Sequence, residues 1–233
     1  MSDAFRKRRI FVALFMLVVF CYLIIVTTPN QIETPVVKNS SVKINGKATA
    51  IDELAKLPVK GRAPKTGYSR EQFGADWNII NGCNTRNIIL NRDMTNVTVD
   101  ESCNVTKGIL HDPYSGKIIE FIRGSDSSSA VQIDHVVALS DSWQKGAQQL
   151  IKNERIKLAN DPLELLAVEG ATNMQKGDGD AATWLPPNKS FRCQYVARQI
   201  AVKLKYKLWV TVSEHDSMSA ILDKCPDTML PSP

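Results

Sequence analysis

The run IFVALFMLVVFCYLIIV, from Ile10 to Val26, carries no charge and directly follows the basic cluster Arg6, Lys7, Arg8 and Arg9. As a helix, these about 17 residues rise about 26 Å, close to the thickness of a bilayer's hydrocarbon core. Basic residues stay on the cytoplasmic side of such a segment, so everything beyond Val26 is expected outside the cytoplasm. The stretch is long for a signal peptide, and Val26-Thr27-Thr28 is a poor small-x-small cleavage site. Both features favour an uncleaved anchor over a cleaved signal. Cys21 follows Phe20, where a lipidation signal needs a small residue. The chain therefore divides into a basic region over 1–9, a transmembrane or signal helix over 10–26, a polar spacer over 27–45 and an exported domain over 46–233.

Export constrains the remaining cysteines, Cys83, Cys103, Cys193 and Cys225. An even number in an oxidising compartment reads as two disulfides. Pairing neighbours gives Cys83–Cys103 and Cys193–Cys225, one of three pairings that four cysteines allow. Each bridge would close a loop of about 20 to 30 residues and contribute about 3 kcal/mol. No two of the four stand two to four residues apart, which argues against a zinc ribbon. The net charge of +5 sits largely in the N-terminal cluster, so it permits contact with nucleic acid without arguing for it.

Beyond the spacer the pattern is mixed α+β. Thr49 and Asp52 form a capping box ahead of a short helix over 51–57. Asn81-Gly82 signals a turn, and the IIL that follows reads as a short strand. The turn Asp112 to Gly116 feeds a strand over 117–122, and another strand runs from Val131 to Ala138. Ser140 then caps one helix extending to about Ala159. LELLAV, Leu163 to Val168, is a strand, and a short helix follows Gly170. Two last helices are expected over 191–208 and after a capping box at Ser213 and Asp216, with Lys203, Lys205 and Lys207 on a solvated face.

The stretch VQIDHVVALSDSW places Asp134 and His135 side by side in an apolar run. Two ionisable neighbours at the end of a strand are costly to bury unless a metal, a partner charge or chemistry compensates. Taken alone, such a pair is more often structural than catalytic. The short helix changes the balance, because Asn173 and Lys176 are three apart and share a face. The Asp134 carboxylate and Asn173 amide are hard oxygen donors suited to Mg²⁺ with several waters retained. His135 can take a proton from water near neutral pH, and Lys176 offers a positive charge to a phosphate. Those groups suffice for phosphodiester hydrolysis.

DHVVAL, followed by LELLAV and by N-M-Q-K at Asn173 to Lys176, resembles the HNH endonucleases with a ββα-metal site. The wider text, including GYSREQFG, CNTRN, DPYSG and TNMQKGDGDAATWLPPN, is similar to exported HNH-type proteins over roughly Gly67 to Cys225. The resemblance implies an α+β fold with a ββα-metal core, an inserted helix and additional helices. It also implies His135 as general base, Asp134 and Asn173 as ligands of one divalent ion, Mg²⁺ or alternatively Mn²⁺, and Lys176 beside them. The expected substrate is DNA or RNA, read with little sequence preference because no helix-turn-helix or zinc finger accompanies the site.

Glu164 departs from that pattern. Nine residues before Asn173 the family commonly has asparagine, whose amide bridges backbone groups near the histidine. An ionised glutamate accepts but cannot donate. The bridge then loses its donor half unless the carboxyl is protonated or the loop is rebuilt; alternatively Glu164 faces solvent or a cation. Catalytic loss is the corresponding second reading: an envelope-associated nucleic-acid-binding protein that keeps the fold. Arg86 and Arg92 divide evenly between salt bridges and phosphate contact. Asp178 and Asp180 read as a loop rather than ligands, and Trp184 as a packed lid.

Overall fold

Cys83 bonds Cys103 and Cys193 bonds Cys225, as neighbour pairing expects. The computed structural model describes residues 48–124 and 128–231, together with Met16. The anchor or signal over 10–26 and the spacer therefore lie essentially outside the described residues. Two units are distinguished, Met1–Ser40 and Ser41–Pro233, and the fold is that of the second. Among the described residues no helix is long and apolar enough to cross a membrane.

Helix α1 (Ala50–Leu54) starts at the expected capping box, with Thr49 and Asp52 bonding each other's backbone amides. Strands β1 (Ile79–Ile80) and β2 (Cys83–Asn84) pair across Asn81-Gly82, which takes positive φ angles of 52° and 82°. The next segment departs from expectation. IIL is not a strand but the centre of α2 (Thr85–Asp93), because the Asn84 side chain caps the helix by accepting from the Asn87 amide. Ile89 and Leu90 are then fully buried, and that packing outweighs their β-propensity.

Strands β3 (Thr95–Val99), β4 (Val105–His111) and β5 (Ile118–Ile122) form an antiparallel meander in that order. Strand β6 (Val131–His135) ends three residues earlier than expected. The single helix expected after it is broken into α3 (Leu139–Gln144), a 3₁₀ turn over Ala147–Gln149 and α4 (Lys152–Ala159). Gly146 makes the break, at φ 124°, where a Cβ would stand 3.2 Å from the Trp209 ring. Strand β7 (Leu165–Glu169) leads directly into α5 (Gly170–Lys176). Helices α6 (Arg192–Lys205) and α7 (Val212–Leu222) complete the α+β architecture. The α7 cap is Thr211, whose side chain accepts from the Glu214 amide, two residues before the expected Ser213.

Strands β6 and β7 are antiparallel, with Asp134 opposite Leu166 and His135 opposite Leu165. Because strand side chains alternate, this hairpin divides two apolar clusters. Val131, Ile133, Leu165 and Ala167 pack with Ile89, Leu90 and Phe121. Leu166 and Val168 join the helical cluster of Tyr114, Tyr195, Val196 and Ile200.

A charged cluster ties the helices together. The Lys145 ammonium lies 2.8 Å from Asp141, 2.7 Å from Asp180 and 2.6 Å from Glu214. Arg62 joins Asp141 and Asp180, and Lys203 pairs with Glu214 at 3.0 Å. Three carboxylates thus face three cations, which is how such charges tolerate burial. Burial opposes the charged form of Asp180, but Lys145, Thr183 and Arg62 outweigh it and hold the carboxyl down at about 2. Lys203 is therefore fully buried, not on the solvated face expected for it. Lys205 pairs with Asp161 at 2.6 Å.

Candidate functional site

The strand pair β6–β7 followed by α5 brings Asp134, His135, Asn173 and Lys176 into one structural unit. Helix α5 lies along the β6 face that carries Gln132 and Asp134. Asn173 Nδ2 donates to Gln132 Oε1 at 2.9 Å. One turn later, Lys176 Nζ donates to Asp134 Oδ1 and Oδ2, both at 2.8 Å, and to the His135 carbonyl at 2.6 Å. The shared helix face expected for Asn173 and Lys176 is thus present, but the two residues engage different partners.

Three oxygens around one ammonium make a small cradle for a cation. It is nearly closed to solvent, with Asp134 6% and Lys176 3% exposed. The Tyr114 hydroxyl adds a 2.5 Å hydrogen bond to Asp134 Oδ2. Burial and the Asp134 charge both push the Tyr114 phenol well above its usual range, so it remains a donor. Tyr114 sits in the DPYSG turn and is held edge-on against Tyr195. The DPYSG turn is legible in the sequence, but nothing there marks its tyrosine as a partner of Asp134. Trp184 packs against both tyrosines.

His135 projects from the opposite face of β6, alongside Val131 and Ile133. Its ring stacks on Trp77, with centroids 5.9 Å apart and planes 4° from parallel. Nε2 lies 3.0 Å from the Ala159 carbonyl. A carbonyl can only accept, so the neutral ring carries its hydrogen on Nε2 and leaves the Nδ1 lone pair available. Burial, with the positive charge of Arg70 next in weight, lowers the imidazole from its ordinary value to about 3. The ring is therefore uncharged at neutral pH. Trp77 carried no motif that could have marked it in the sequence.

Glu164 is fully buried and enters no ion pair among the described residues, so neither a solvent-facing nor a cation-paired carboxylate is found there. Its backbone carbonyl accepts from the Val136 amide at 2.9 Å, and its Oε2 accepts from the Val137 amide at 3.2 Å. Burial raises its carboxyl well above the usual range despite those bonds. A neutral carboxyl acid recovers one donor. Through its carbonyl and Oε2, Glu164 braces the loop that follows His135, while Oε1 has no partner among the described residues.

Arg86 donates to the Val131 carbonyl at 3.1 Å. Arg92 is held by Asp93, the Pro162 carbonyl and the Leu165 carbonyl. Both arginines thus brace the β6–β7 unit from behind. Asp178 pairs with Lys65 and Asp180 belongs to the buried charge cluster. Among the described residues no three His, Cys, Asp or Glu side chains form a metal-binding group.

Residues 84–221 match the family described as GmrSD restriction endonucleases, C-terminal domain. An uncharacterized secreted protein of Arthroderma benhamiae is 36% identical over 209 residues, covering 88% of this chain and 99% of the relative. No solved structure matches significantly. The matched region contains β6, β7 and α5 whole, and the chain belongs to the family of GmrSD restriction endonuclease C-terminal domains, a nuclease family.

Proposed function

We propose that the protein is an extracytoplasmic, metal-dependent nuclease of the HNH type that hydrolyses phosphodiester bonds of DNA or RNA with low sequence specificity. The observation that carries this reading is the β6–β7–α5 unit, which gathers an Asp-His pair and an Asn-x-x-Lys pair at adjoining positions. Family membership supports the nuclease class. Two disulfides and the secreted relative support a site outside the cytoplasm. The membrane attachment proposed for 10–26 rests on its hydrophobic sequence.

His135 acts as the base. Its neutral ring and free Nδ1 suit it to accept a proton from water, and an approaching phosphate anion raises its basicity from the low resting value. Trp77 and the Ala159 carbonyl fix the ring plane and tautomer. Glu164 positions the chain after His135 through the Val136 and Val137 amides.

The cradle at Asp134 has the donor chemistry of a hard-cation site, and the Lys176 ammonium is its stand-in ion. Asp134, joined by the His135 carbonyl and the Asn173 amide oxygen, would hold Mg²⁺ or Mn²⁺ once Lys176 moves aside and Asn173 leaves Gln132. When bound, such an ion supplies charge neutralisation to the phosphate and the leaving oxygen. Lys176, once released from Asp134, is free to pair with the same anionic substrate.

A second reading is favoured by the closed Asp134–Lys176 pair and the Trp77 cover on His135: a binding protein that retains nucleic acid without turnover. Full-length protein incubated with supercoiled plasmid and Mg²⁺ or Mn²⁺ separates the two. Relaxed or linear product that disappears with EDTA supports the nuclease. Plasmid bound but intact under both metals supports the binding protein.

A further inference from the structure

The segment Arg70 to Trp77 wraps the side of the unit from which His135 projects. Arg70 opens a 3₁₀ turn that ends at Phe73, and its Nη1 donates to the Gly74 carbonyl at 3.2 Å. Gly74 takes φ 98° and lies against Ile156 of α4, the helix whose last residue, Ala159, bonds the His135 ring. Three residues beyond Gly74, Trp77 covers that ring. The strap therefore fixes Arg70 and His135 to the same support.

The other described arginines are ion-paired, bonded through two or more donors, or partly buried. Arg62 and Arg92 are ion-paired with aspartates. Arg123 and Arg155 are bonded to carbonyl and amide oxygens. Arg86 and Arg198 are largely desolvated against main-chain carbonyls, and Arg192 bonds the Pro186 carbonyl. Arg70 is exposed and, among the described residues, forms no ion pair and keeps most of its five donors free after one bond to Gly74. A guanidinium fork free of carboxylate partners, on the strap that covers the base, matches the paired oxygens of a carboxylate or a phosphate, and the nuclease reading selects the non-bridging oxygens of a phosphodiester.

We propose that Arg70 is a phosphate-binding residue that holds the nucleic-acid backbone against the His135 side of the unit. The proposal deepens the nuclease reading and rests on it for the identity of the substrate. Backbone binding of this kind is insensitive to sequence and releases about one counterion per neutralised phosphate.

Binding of the full chain to a short DNA duplex is measured in EDTA across a salt series, and cleavage kinetics are measured with Mg²⁺ or Mn²⁺. Arg70→Gln retains a donor for the Gly74 carbonyl and removes the charge; Arg70→Lys retains the charge. In Arg70→Gln the slope of log K against log salt should shrink by about one. Affinity should fall roughly tenfold at low salt, with KM raised and kcat nearly unchanged. Arg70→Lys should recover most of the affinity. A protein that binds with this slope change but never cleaves would refute the nuclease reading and sustain the role of Arg70. Unchanged slope and KM in a cleaving protein would refute the role and leave the nuclease reading intact. A wild-type chain that binds no DNA would also overturn the role of Arg70.

Discussion

Lys176 grips Asp134 through both carboxylate oxygens, with Nζ 2.8 Å from each. Helix periodicity brings the lysine onto β6, and burial makes the pair obligatory, because the Lys176 side chain is 0% and that of Asp134 7% exposed. The same ammonium reaches the His135 carbonyl. One residue thus ties the end of β6 to the end of α5.

Breaking this pair from one side should be expensive. Lys176→Met leaves a buried aspartate without its counter-charge, and urea unfolding should show a loss of about 3–5 kcal/mol. The double variant Asp134→Asn with Lys176→Met removes both charges and should recover much of that loss. A double variant as unstable as the single one would mean that packing, not charge, governs the site.

Glu164 should make stability depend on pH in the direction opposite to an ordinary carboxylate. Its folded pKa is raised, so its stabilising contribution is fully present below the unfolded value of about 4.5 and is lost as pH rises toward the folded value. Glu164→Gln keeps the shape and cannot ionise. Thermal unfolding from pH 5 to pH 8 should therefore show a flatter profile for Glu164→Gln, with a gain over the wild type that grows with pH. Parallel profiles would show that Glu164 is ionised in the folded chain.

His135 contributes on the acid side. Its folded pKa is lowered to about 3, so its contribution is fully present above about 6.5 and is lost as pH falls toward 3. Imidazole NMR should report the neutral tautomer with hydrogen on Nε2 at pH 5. A ring already protonated at that pH would mean that the Trp77 and Ala159 contacts are open in solution.

The buried charge cluster and the surface pairs should respond very differently. Lys145→Met leaves Asp141, Asp180 and Glu214 facing two cations, Arg62 and Lys203, in place of three, and should cost about 3–5 kcal/mol, or abolish folding. Lys117→Met removes an exposed pair with Glu169 and should leave the urea unfolding midpoint almost unchanged. Equal effects in urea unfolding would contradict the burial assigned to the cluster.

Local signals in the sequence were strong where one residue decides the structure. The Thr49–Asp52 capping box, the Asn81-Gly82 turn and the helix face shared by Asn173 and Lys176 depend on short-range geometry, and all are present. The helical IIL rests on the local Asn84 cap together with the packing of Ile89 and Leu90, whereas the break at Gly146 and the buried Lys203 depend on residues distant in sequence. Trp209 and Glu214 create the last two environments, and neither is visible in a local pattern. At the candidate site the sequence marked Asp134, His135, Asn173, Lys176 and Glu164. It gave no sign that Lys176 would occupy the carboxylate, because an ammonium and a divalent ion seek the same oxygens. Trp77 and Tyr114 stayed hidden because an aromatic side chain reads as core until its partner is known.

The most direct test compares wild-type protein with His135→Ala in plasmid cleavage under Mg²⁺ or Mn²⁺, with folding checked by circular dichroism and DNA affinity measured in EDTA. The account predicts wild-type cleavage, a fall of about 10²–10⁴ in rate for the variant, and unchanged DNA affinity. Equal cleavage rates, or a folded wild-type chain that binds DNA and leaves it intact under both metals, would contradict it.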